Sequence, residues 1–126
     1  MNETEGTLAI SAHPSPGGPG GPVVLRLAGE LDHHTGARLG RAVEDLLRSP
    51  DAGTGIVADL SRLHYCDSTG ITTIITAYDR AQATGSSFCV AAPSPAIAQL
   101  LRMTGLDQIL TFHPSVEDAV DALRSG

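Results

Sequence analysis

The chain has 126 residues, room for one hydrophobic core and not two, and its 41% apolar and 17% charged content is that of a folded domain, not a disordered one. A formal charge of −6, with all eight basic residues scattered arginines, excludes the clustered cationic surface that nucleic acid requires. No run is long and apolar enough to span a membrane and no secretory leader opens the chain, so a cytoplasmic protein without a membrane partner is expected, with Cys66 and Cys89 as reduced, buried thiols.

Residues 1–6 are polar and acidic and are expected to fray. Thr7 to Ala12 alternates weakly and reads as a first strand. From His13 to Pro22 the Pro and Gly density forbids a helix or central strand, which predicts an enlarged hairpin loop that folding can do without. Its glycines are no phosphate cradle, because Pro19 and Pro22 remove backbone donors and no Gly-Lys-Ser/Thr follows. Val23 to Ala28 is a second strand, ending at Gly29 to Asp32, and should pair with the first as an antiparallel hairpin. Leu39, Ala42, Val43, Leu46 and Leu47 then make a helical stripe, with Thr35 as N-cap and an end near Ser49-Pro50.

Gly55 to Leu60 is short, apolar and rich in β-branched residues, the signature of a buried strand. A loop is expected after it, and then Ile71, Ile74, Ile75 and Tyr78 mark one face of a helix closed by Thr84-Gly85. Ser68 stands at that helix start as either an N-cap or a site for an added anion, which the helix dipole would favour there. Phe88 to Ala92 is a further buried strand. Ser94-Pro95 opens a helix with Ile97, Leu100 and Leu101 inward, and Thr104-Gly105 ends it. Ile109 to Phe112 reads as a last strand, and Ser115 with Asp118 caps a final helix carrying Val116, Ala119, Val120 and Leu123. Strands alternating with helices imply parallel pairing with right-handed crossovers. The expected fold class is therefore α/β: one domain over 1–126, with a mixed, mostly parallel sheet of about five strands and about four helices.

Asp67-Ser68-Thr69-Gly70-Ile71 resembles the phosphorylation loop of bacterial anti-sigma-factor antagonists, the stand-alone members of the STAS family. Gly29-Glu30-Leu31-Asp32-His33-His34-Thr35 is similar to the strand-end segment of the same family, and the likeness runs from about Leu8 to the C-terminal helix. The resemblance implies that Ser68 is phosphorylated and that Asp32, His33, Asp67, Thr69, Gly70, Thr72 and Thr73 meet the partner. It implies as partners an anti-sigma factor with serine kinase activity, which brings ATP and Mg²⁺, and a serine phosphatase that restores the unmodified form. The chain has no nucleotide motif of its own, so no cofactor is expected. Thr72 and Thr73 depart from the small residue or glycine common in the family at that point, and as hydroxyls on the exposed side of the helix they would alter the docking surface.

Other chemistries fit less well. His33 and His34, with His64 and Cys66, suggest a metal, but adjacent histidines diverge and no pair stands at i, i+4 on a helix. A small hydrolase using Ser68 would need a Gly-x-Ser-x-Gly elbow or a neighbouring base, and Ser68 has an acid beside it instead. The alternative within the fold is a non-switching subunit of a transport or signalling assembly, in which Ser68 only caps its helix.

Overall fold

The computed structural model describes residues 7–15, 20–49 and 55–125. Strands β1 (Leu8–Pro14) and β2 (Val23–Leu31) are followed by α1 (Gly36–Arg48), β3 (Ile56–Cys66), α2 (Ser68–Ala83), β4 (Phe88–Ala91), α3 (Pro95–Met103), β5 (Phe112–His113) and α4 (Val116–Ser125). The sheet runs β1-β2-β3-β4-β5, antiparallel between β1 and β2 and parallel from there on. Inward residues of the strands and of α1, α2 and α3 build the main core, which includes Leu25, Leu27, Leu39, Val43, Leu60, Ile74 and Leu101. On the other face α4 sets Val116, Ala119, Val120 and Leu123 against Val24, Val57, Cys89 and Ala91. That face therefore has one helix, lying over β3, β4 and β5.

Three expectations change. First, β1 continues through His13 and Pro14, which pair with Val24 and Val23, and Ser15 is buried with its Oγ 3.1 Å from Arg124 Nη2. The hairpin loop thus begins after Ser15, and the segment from His13 cannot be removed as a block without loss of ladder bonds; residues 16–19, like the fraying expected of 1–6, lie outside the described residues. Second, β3 does not stop at Leu60. Between Arg26/Ala28 and Gly29/Glu30 of β2 it takes up an extra residue at each of two register shifts and carries on to Cys66. Third, Leu106–Gln108 forms a 3₁₀ turn after Gly105, whose φ of 80° only glycine adopts readily, and this delays the last strand to Phe112–His113.

The prolonged β3 matters for function because it brings the chain level with the end of β2. Leu31 pairs with Cys66, and Asp67 N–H donates to the Leu31 carbonyl at 3.2 Å. Both segments singled out by the sequence therefore meet at the C-terminal edge of two adjacent parallel strands, where functional loops of α/β sheets gather.

Candidate functional site

The turn from β2 to α1 is built by Asp32. Asp32 as a whole residue is 7% exposed, and its Oδ1 accepts the N–H groups of His34 at 2.9 Å and Thr35 at 3.1 Å. The Asp32 carbonyl takes Gly36 N–H at 2.8 Å, so one residue organises the first turn of the helix. Thr35 holds the N-cap position without a side-chain cap bond. Its hydroxyl instead accepts from Asp32 N–H at 2.9 Å and shares its own proton between the Glu30 carbonyl at 2.9 Å and Asp32 Oδ1 at 3.3 Å. Burial raises the Asp32 carboxyl, but the His34 and Thr35 hydrogen bonds and the nearby His34 charge outweigh it and leave the group below its ordinary value.

At the second turn Asp67, not Ser68, is the N-cap of α2. Asp67 Oδ1 accepts Gly70 N–H at 2.9 Å, and its carbonyl takes Ile71 N–H at 3.0 Å. Ser68 is the first helical residue, exposed, with a hydroxyl that forms no hydrogen bond among the described residues. Thr69 is exposed beside it. The helix packs hard on the strand end at Gly70: a Cβ there would meet the Leu31 carbonyl oxygen and come within 2.9 Å of Cys66 Sγ. Gly70 accordingly faces inward and offers no side chain to a partner. Cys66 is buried as well, and burial first, then the Asp67 charge, push its thiol up to about 12, so it is no nucleophile.

The two turns touch through His33, whose Nδ1 lies 3.7 Å from Asp67 Oδ2 while the imidazole stays largely exposed. The rings of His33 and His34 lie 3.9 Å apart in a tilted stack, and the described residues hold no group of three or more side chains suited to a metal. One turn up α2, the Thr72 hydroxyl donates to the Ser68 carbonyl at 3.1 Å and Thr73 donates to the Thr69 carbonyl at 2.9 Å. Thr72 is exposed, but Thr73 is turned toward α1, where a Cβ on Gly36 would come within 2.7 Å of its hydroxyl. The expectation of two exposed threonines thus holds for one of them. Between the helices runs an open groove of about 360 Å³, floored by Gly36, Gly40, Thr69, Thr72, Thr73 and Thr76, with the Arg80–Glu44 ion pair across it. Sequence reading missed this groove; its signal was the pair of glycines at i and i+4 of an amphipathic helix.

Comparison with known proteins agrees with this geometry. The chain is 31% identical over 104 residues, 82% of its length and 88% of the relative's, to an anti-sigma F factor antagonist of Paenibacillus polymyxa. Its fold superposes with a TM-score of 0.80 on the crystal structure of an anti-sigma factor antagonist from Mycobacterium paratuberculosis, at 26% identity, covering 95% of this chain and 97% of the other. The anti-sigma factor antagonist SpoIIAA in its unphosphorylated form shares the fold at a TM-score of 0.72 and 24% identity, with 94% and 98% covered. The model of the STAS domain matches residues 13–119, and with the five-stranded mixed sheet and its four helices already described, the chain belongs to the STAS-domain family.

Proposed function

We propose that the chain is an anti-sigma-factor antagonist: unphosphorylated, it binds an anti-sigma factor with serine kinase activity and releases a sigma factor, and phosphorylation of Ser68 switches that binding off. The observation that carries this reading is the division of labour at the start of α2. Asp67 does the capping, so the Ser68 hydroxyl is exposed and unengaged where a helix N-terminus offers free N–H groups. The names of the relatives support the same class of function.

In the phosphoryl transfer Ser68 Oγ attacks the γ-phosphorus of ATP held with Mg²⁺ by the kinase. The Oγ–P bond forms, the bond to the ADP oxygen breaks, and the hydroxyl proton passes to a base on the kinase. The product adds about −1.5 to −2 charge at pH 7. The helix N-terminus offsets part of this, so the fold is kept, whereas an acidic partner surface resting on Ser68 is repelled. Hydrolysis by a serine phosphatase returns the hydroxyl. In this reading Asp67, Thr69 and Thr72 meet the partner with Ser68, and Asp32 acts by holding the turn that presents His33.

Intact-mass measurement after incubation with the cognate kinase and ATP should show one added phosphate on the native chain and none on Ser68→Ala. Thermal unfolding of Ser68→Ala should match the native protein, because the hydroxyl caps nothing; Asp67→Ala should lose about 1 kcal/mol with the cap. Phosphate mapped to Thr69, or to neither residue, would sink the reading.

A further inference from the structure

We infer that the groove between α1 and α2 seats a helix of the anti-sigma factor, with a small or aliphatic side chain over Gly40 and a carboxylate on Arg41, an inference that rests on the antagonist reading. Two glycines of α1 floor the groove, and only one of them is explained by the fold. At Gly36 an added Cβ would come within 2.7 Å of the Thr73 hydroxyl, so the packing of α2 on α1 accounts for it. Gly40 lies one turn further on with no positive φ, and a Cβ there would meet nothing within 4 Å. Glycine inside a helix is less stable than alanine, so α1 gives up stability at Gly40 for no contact of its own. What a bare backbone offers at such a point is close approach by another surface.

The walls say what that surface carries. Glu44 is taken by Arg80 across the groove, whereas Arg41, exposed on the same wall, has no ion pair or hydrogen bond among the described residues. The groove thus holds one uncompensated positive charge on a chain whose formal charge is −6, which selects an acidic group on the occupant. From Gly36 to Glu44 the floor extends for about 12 Å, two turns of helix. Both walls are helices, and the Thr72 and Thr73 hydroxyls are spent on carbonyls of their own. An extended segment would leave its N–H and C=O groups facing backbone that is already paired, while a helix enters with its own bonds made. Thr69 lines the same groove next to Ser68, so an acidic helix lying there gives a phosphoryl group on Ser68 a negative surface to repel.

The test titrates the purified cognate anti-sigma factor by calorimetry with the full chain and its variants. Gly40→Leu should bind about tenfold more weakly or worse, because it plugs the groove, yet unfold at no lower temperature than the native chain. Arg41→Glu should weaken binding about fivefold at low salt, and less at high salt. Arg102→Glu makes the same change in net charge on α3, away from the groove, and should bind like the native chain. In the complex, hydrogen exchange on the anti-sigma factor should gain protection in a helix that carries Asp or Glu. Native affinity in Gly40→Leu, equal losses in Arg41→Glu and Arg102→Glu, or protection confined to a loop or strand would each overturn the inference. Such results leave the antagonist reading standing as long as the native chain binds, whereas a native chain that does not bind the anti-sigma factor overturns both.

Discussion

At the residue scale the site shows one job passed from one side chain to another. Serine before an apolar helix usually serves as its cap, yet Asp67 stands one position earlier with a better acceptor and takes the Gly70 N–H. Asp32 is the counterpart in the other turn, and its hydrogen bonds make it a structural carboxylate whatever it does for a partner. Asp32→Ala should therefore cost about 2 kcal/mol, since two backbone N–H groups lose a charged acceptor in a buried turn. The sign with pH follows from a folded-state carboxyl held below its ordinary 3.8. Such a group contributes stability that is complete above the unfolded value and is lost as pH falls through it toward the folded one. Denaturant titrations of the native chain and Asp32→Ala should then converge as the pH is lowered below 3.8. A difference that stays constant down to the acid limit would show that packing, not the carboxylate, is what Asp32 supplies. In the sequence Asp32 stood out only through the family resemblance, as a residue that meets the partner; its structural bonds were not legible there, nor was the part of Thr35, whose hydroxyl is spent on Glu30 and Asp32, partners that only the folded turn brings within reach.

At the element scale, α2 is seated by close approach. Gly70 is helical, and in an open helix an alanine there would be preferred by about 1 kcal/mol. Here the added Cβ meets strand backbone, which cannot move aside, so Gly70→Ala should destabilise by about 2 kcal/mol and tilt the helix start away from Leu31. Gly40 on α1 is the internal control, because a Cβ there meets nothing within 4 Å. Gly40→Ala should stabilise the chain by about 1 kcal/mol, and chemical denaturation of the two variants checks both signs. Most elements were legible because their signals are local: the Ser94 cap accepting Ile97 N–H, the Ser115 cap accepting Asp118 N–H, and the stripes on α1, α2 and α4. The far half of β3 was not. From Leu60 on, the buried residues are Leu60, Leu63 and Cys66, a period of three produced by the two extra residues in its pairing with β2. Period-two reading stops at the first bulge, although the strand goes on and delivers Asp67 to its place. Similarly, the 3₁₀ turn after Gly105 breaks alternation and shifted the apparent start of β5.

At the scale of the whole molecule the two faces of the sheet are unequal. Three helices cover one face, and α1 and α2 from that layer supply the ends that frame Ser68, while α4 packs on the other face in a cluster of its own. The proposed switch thus lies at an edge where helix starts and strand ends converge, and a charge added there would act on what docks, with little leverage on either core. The formal charge of −6 adds to this, since the proposed phosphorylation would give an already acidic chain still more negative charge to set against an acidic partner surface. Affinity for the anti-sigma factor should then follow the charge at position 68. In calorimetric titrations the native chain should bind most tightly, Ser68→Asp less so, and the phosphorylated chain least, because a carboxylate carries one charge and lacks the third acceptor oxygen. Raising the salt concentration should narrow the spread, as it does for exposed charges. The reverse order, with the phosphorylated chain binding most tightly, would mean that arginines of the partner read the phosphate as bidentate acceptors. Ser68 would still be the modified residue in that case, but phosphorylation would recruit the partner and not release it.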